Sequence, residues 1–143
     1  MTTALYQQSI LARAKDATGA GEFENPDARA VAENPLCGDR ITIDIRMQDD
    51  KIESLAHTVR GCVLCQAAAS LIGAQAPGCA GSEIDAARRT VAAMLAGTGE
   101  PPRGKWQEFA IFAPVAAHRH RHHCVLLPFD ALQRALDAAR VTK

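Results

Sequence analysis

Ile41-Thr42-Ile43-Asp44-Ile45-Arg46-Met47, then the polar turn Gln48-Asp49-Asp50-Lys51 and the run Ile52 to Arg60, decides the fold class. The first segment alternates apolar and polar side chains, the period-two signature of a half-buried strand. The turn and the returning run complete a hairpin. Upstream, residues 28–34 are read as a further short strand, although alanine is a poor strand former. Before them, Tyr6, Ile10, Leu11 and Ala14 recur at helical spacing over residues 3–16, and Gly19, Gly21 and Pro26 break the chain.

Helices dominate the second half. Gly61 ends the hairpin, and residues 62–75 lack a β-branched run, so they predict a helix stopped by Pro77-Gly78. Ser82, with Asp85 three residues on, predicts an N-cap for a helix to about Leu95 that ends at Gly97. The apolar stretch Trp106 to Phe112 is read as a short helix whose Trp106, Phe109 and Phe112 serve the core. The last helix is expected from Cys124 or Pro128 to Arg140, with Pro128 accommodated only in its first turn. The expected class is α+β: one domain over residues 1–143, with a small antiparallel sheet of about three strands and about five helices.

Bulk properties exclude several function classes. The 16 basic residues equal the 16 acidic ones, so no global charge points to nucleic acid or an acidic membrane. Met1 to Asp16 lacks the pattern of a secretory signal, and the least polar stretch, Ala67 to Ala76, falls short of a membrane span. A cytoplasmic, reducing location is expected, where thiols stay free unless they bind metal or do chemistry. Five cysteines is an odd number, which disfavours a disulfide framework.

Cys37 and Asp39 flank Gly38, and in an extended segment residues two apart point to the same side. Cys62 lies where strand meets helix, and Cys124 lies at or just before the last helix. A helix N-terminus favours thiolate, the form that binds metal and attacks sulfur. Three thiolates and a carboxylate make a plausible tetrahedral zinc site or a cluster-holding site for iron. A hard oxygen among soft thiolates makes exchange easier, which suits a site that hands something over. Arg60, Arg121, His122 and His123 are close in sequence to the ligands and are candidates to offset their negative charge.

Three motifs in order resemble the iron–sulfur cluster assembly scaffolds of the IscU and NifU N-terminal type, and most closely the SufU branch. They are Asn34-Pro35-Leu36-Cys37-Gly38-Asp39-Arg40, Gly61-Cys62 with Gln66-Ala67-Ala68-Ala69-Ser70, and Arg121-His122-His123-Cys124-Val125-Leu126-Leu127-Pro128-Phe129-Asp130-Ala131-Leu132. The wide gap between Cys62 and Cys124 looks like the insertion that separates SufU from shorter IscU proteins. The resemblance implies partnership with a pyridoxal-phosphate cysteine desulfurase that delivers persulfide sulfur, and a downstream iron–sulfur carrier or Suf-type scaffold. It implies Cys37, Asp39, Cys62 and Cys124 as ligands, holding either a two-iron two-sulfur cluster, as in IscU-type members, or zinc, as in SufU-type members. Cys124 matches the persulfide acceptor of IscU-like proteins and Cys37 that of SufU. The protein is expected to be a scaffold or acceptor rather than an enzyme.

Several residues allow other readings. Cys65 occupies a slot that is commonly Ser in the family, and Cys62-Val63-Leu64-Cys65 allows an auxiliary thiol or a redox pair. A thioredoxin-like protein would need this motif in a βαβ setting, whereas a hairpin precedes it here. A purely structural zinc, or buried thiols with a turn aspartate, are the plainer readings of the four-residue set. Cys79 reads as an incidental loop thiol. The block His118 to His123 suits an extra metal, a partner or a solvated basic arm, with His123 an auxiliary to the site. The Leu-Pro-Pro-Val-Lys motif that IscU-type scaffolds offer a chaperone is missing before Cys124.

Overall fold

In the computed structural model, residues 3–36 and 38–141 are described, and side chains from 7 to 140 apart from residue 37. Helix α1 (Thr3–Asp16) precedes strands β1 (Ala28–Asn34), β2 (Asp39–Gln48) and β3 (Lys51–Arg60). Helices α2 (Val63–Gln75) and α3 (Gly81–Ala96) follow, then 3₁₀ segments Gly104–Ala117 and Arg119–Arg121, and finally α4 (His122–Val141). The sheet is an antiparallel meander in the order β1-β2-β3. This is the α+β arrangement expected from the sequence.

Alternation in β2 separates the faces of the sheet. Ile41, Ile43 and Ile45 are fully buried, β2 packing on α4 and β3 on α2, and the apolar faces of those helices form the other half of the core. Alanine-rich β1 is a strand because it pairs with β2 from Ala28↔Ile45 to Asn34↔Asp39 and because α4 covers it. Tertiary pairing here overrides a poor local propensity. Trp106, Phe109, Phe112 and Phe129 form a ring cluster with centroids 5.2–6.0 Å apart, an aromatic core as expected.

The other face of β2 carries Asp44, which is buried nonetheless. Arg29, opposite it on β1, grips it through Nε at 2.6 Å and a terminal nitrogen at 2.9 Å, and the Phe23 N–H donates at 2.9 Å. Arg46 lies 4.2 Å over the Phe23 ring, so the loop before β1 is bound to the sheet. Burial pushes the Asp44 carboxyl up, but the Arg29 and Phe23 hydrogen bonds and the Arg29 charge outweigh it and hold it below the ordinary range.

His57 on β3 ties down the loop after α1. Its Nε2–H donates to the Thr18 carbonyl at 2.8 Å, while backbone bonds join His57 to Gly19 and Gly21. Nδ1 is buried and, among the described residues, finds no hydrogen-bond partner. Burial therefore lowers the pKa of His57, against the opposing pull of the carbonyl, and keeps the ring neutral. The same loop lies on α2: the Thr18 N–H donates to Ser70 Oγ, and a Cβ on Gly73 would stand 2.1 Å from the Thr18 carbonyl oxygen.

Four local expectations need correction. Leu11 is 58% exposed, so the buried stripe of α1 runs through Ile10 and Ala14 without it; the Tyr6 side chain lies outside the described residues. The N-cap of α3 is Ala80, not Ser82, and Glu83 reaches back to accept the Ala80 N–H at 3.3 Å. Helix α4 begins at His122, so Pro128 lies in its interior. The proline removes the N–H that would bond the Cys124 carbonyl, and dense packing of Val125 to Phe129 holds the helix across the gap. Cys79, expected as an incidental loop thiol, does lie in the loop between α2 and α3 but is fully buried there.

Gly73→Ala is expected to cost about 1–3 kcal/mol through the clash with Thr18, read as a lowered urea midpoint; an unchanged midpoint would contradict this packing. Acidification should remove stability in two stages. His57 and Asp44 both have lowered folded-state pKa values, so each contributes stability that is present above its unfolded value and lost as pH falls below it. The unfolded values are about 6.5 and about 3.9. Thermal midpoints measured against pH should fall in both windows, and His57→Gln should flatten the upper one.

Candidate metal centre

The register of the meander builds the first half of the site. Arg40 pairs with Arg60, so the next position along each strand sets Asp39 beside Gly61 at the end of the sheet. Cys62 follows directly as the N-cap of α2, in extended conformation. Its N–H donates to Asp39 Oδ1 at 3.0 Å and its thiol to Oδ2 at 3.4 Å. Gly61 is required by this closeness: a Cβ there would lie 2.8 Å from Asp39 Cγ and Oδ1. Gln66 supports the corner by donating to the Gly61 carbonyl at 3.0 Å.

The second half comes from α4, which packs on both α2 and β2. Cys124, in its first turn, is buried at 4% exposure. One ligand atom each from Asp39, Cys62 and Cys124 lie within 4.8 Å of one another, a separation that one metal ion bridges. Residues from a strand end, a helix cap and a helix 62 positions later thus meet at one point. Cys37 lies outside the described residues; in the chain it stands two residues before Asp39.

Electrostatics decide whether this donor set suits a cation. Burial pushes the Cys124 thiol strongly up, and the Cys62 thiol and Asp39 carboxylate push it the same way. The expectation that the helix N-terminus would make Cys124 a thiolate is therefore reversed in the isolated chain, because burial and negative neighbours outweigh the helix dipole. A bound cation inverts that balance, since a coordinated thiol is deprotonated outright. The residues fit a thiolate-binding metal.

The proposed charge-offsetting residues are placed elsewhere. Arg60, Arg121 and His123 are exposed, and none of them is among the groups that shift Cys124. His122 is half-buried with Nε2 3.1 Å from the Ala116 carbonyl. Arg121 instead joins His118 and His120 on the rim of a groove floored by Ile10, Leu64 and Val115. Cys65 is fully buried in the core, and the convergent group among the described residues does not include it. The contributions of Gly61 and Gln66 were not read from the sequence: Gly61 marked only the end of a strand, and the carboxylate packed on it becomes visible only with the β2–β3 register.

Known proteins share this chain's sequence pattern and fold. The NifU-like N terminal domain family matches residues 5–140. The iron-sulfur cluster assembly scaffold protein IscU of Streptococcus pyogenes serotype M1 is 27% identical over 132 residues, covering 92% of this chain and 82% of that protein. The scaffold protein of the same description from Thermotoga maritima is 25% identical, with 92% of each chain covered. The crystal structure of a nitrogen-fixing NifU-like protein (N-terminal) from Brucella abortus superposes with a TM-score of 0.92 at 30% identity, covering 99% of this chain and 100% of that one. With its fold and nearly its whole length matched, this chain belongs to the NifU-like N-terminal domain family.

Proposed function

We propose that the protein is an iron–sulfur cluster assembly scaffold that accepts persulfide sulfur from a pyridoxal-phosphate cysteine desulfurase at a site of Cys37, Asp39, Cys62 and Cys124. The observation that carries this reading is the convergence of Asp39, Cys62 and Cys124 within 4.8 Å, supported by the scaffold proteins to which the chain is similar. Cys37 completes a four-ligand set from a position two residues from Asp39.

Sulfur arrives without net redox change. An acceptor thiolate attacks the outer sulfur of the desulfurase persulfide, the S–S bond breaks, and the desulfurase cysteine leaves as thiolate. Cys124 is buried, which disfavours it as the first acceptor and leaves that role to Cys37. The cluster is cargo, and it passes to a downstream carrier or Suf-type scaffold. Asp39 supplies the hard ligand that makes release easy, while its hydrogen bonds to Cys62 hold the corner open for metal. The protein performs no turnover of its own and works in the cytoplasm, where its thiols stay reduced. No described helix is long and apolar enough to cross a membrane. The dithiol-oxidoreductase reading is less favoured, because an antiparallel hairpin and not a βαβ unit precedes Cys62-Val63-Leu64-Cys65.

Anaerobic reconstitution with ferrous iron, cysteine, a cysteine desulfurase and dithiothreitol, which reduces the delivered sulfur to sulfide, tests the assignment. Acid-labile sulfide stoichiometric with iron is expected, together with faster desulfurase turnover, and both should vanish in Cys62→Ser and Cys124→Ser. Tightly held zinc that blocks cluster assembly yet leaves desulfurase stimulation intact would replace the scaffold reading with a zinc-dependent sulfur relay. Asp39→Ala is expected to slow cluster release to an acceptor by about 10-fold, on the scale that ligand surroundings impose; equal release rates would refute the role given to the carboxylate.

A further inference from the structure

Cys79 lies outside the metal centre, in the loop between α2 and α3, yet it is held as firmly as a site residue. Its N–H donates to the Ala76 carbonyl, and its own carbonyl accepts the Ile52 N–H, each at 2.9 Å. The thiol donates to the Gln75 carbonyl at 3.4 Å. The sulfur is covered by Lys105, whose Nζ donates to Sγ at 3.2 Å and to the Pro77 carbonyl at 3.3 Å. An amine nitrogen is thus fixed against a sulfur that Cys65, Cys62 and Cys124 do not share.

We propose that Cys79 and Lys105 form an oxidation-dependent covalent link, with a hydroperoxide as the oxidant. In the first step the thiol is oxidised by two electrons: the sulfur takes one peroxide oxygen to give a sulfenic acid, and the other oxygen leaves as an alcohol, or as water when the oxidant is hydrogen peroxide. In the second, the Lys105 amine, having released one ammonium proton to solvent, attacks the sulfenyl sulfur. The S–O bond breaks, one of the two amine protons leaves with the hydroxide as water, and an S–N bond joins the two side chains, with one hydrogen kept on the nitrogen. A sulfenic acid condenses with a nearby nitrogen in this way when one is held in reach. Thiol reductants reverse the link by attacking its sulfur. The tether would join the end of α2 and the start of β3 to the beginning of the 3₁₀ segment Gly104–Ala117, the connection that leads to the helix of Cys124.

The test is treatment of the intact protein with hydrogen peroxide, thiol alkylation, tryptic digestion and mass spectrometry. The expected product is a cross-linked pair of peptides containing Cys79 and Lys105, lighter than their sum by two hydrogens. Cleavage after Lys105 should be blocked, and dithiothreitol should restore it. In Lys105→Met the linked pair should disappear and Cys79 should be trapped by a sulfenic-acid reagent. Three results would overturn the proposal: Cys79 still fully alkylated after peroxide, Cys79 advanced to sulfinic acid with Lys105 still cleavable, or Cys79 recovered in a disulfide. Cys79→Ala serves as a second control, because loss of the blocked cleavage there ties the signal to this sulfur without altering the lysine.

Discussion

The Asp39 carboxylate, set against Gly61 and bonded to both the N–H and the thiol of Cys62, is the constraint on which the site depends. It couples the end of β2 to the start of α2, so the sheet register and the placement of Asp39 against Cys62 are one arrangement. A sheet slipped by one residue would turn Asp39 to the opposite face and leave the Cys62 N–H, an unsatisfied helix-end donor, without its acceptor. The absence of a side chain at Gly61 lets the carboxylate come this close.

Around that corner the protein holds its acidic groups in opposite states for reasons of environment. Asp44 is buried but kept ionised by a two-pronged arginine and a backbone N–H. Cys124 is buried beside two acidic groups, and its proton is held tightly. The contrast explains why one carboxylate is structural and the other cluster of acids is poised for a cation. The first already has its positive partner within the chain; in the second, the forces on Cys124 all point toward a positive charge brought from outside.

The helical half serves the same end. Helix α4 covers the sheet and delivers Cys124, while the ring cluster of Trp106, Phe109, Phe112 and Phe129 locks the 3₁₀ segment on which its approach depends. Pro128 inside α4 shows that packing here is strong enough to hold a helix through a missing hydrogen bond. The loop carrying Cys79 shares this rigidity, which is why a surface lysine and a buried sulfur keep a fixed contact.

Much of this was legible in local pattern. The alternation of Ile41, Ile43 and Ile45, the polar turn after them and the glycine before Cys62 specified the hairpin and its end, because period and turn chemistry are local properties. Asp39, Cys62 and Cys124 were marked as candidate ligands by residue type and by three motifs in order. The depths of Cys124, Cys65 and Cys79, and the exposure of Arg60 and His123, were decided only by tertiary structure. Burial depends on chain segments dozens of residues away, so the acidity of a thiol and the neighbour it meets are written in packing rather than in spacing. The sequence by itself determined which atoms were available for metal; the fold decided which of them meet, and in what state of charge.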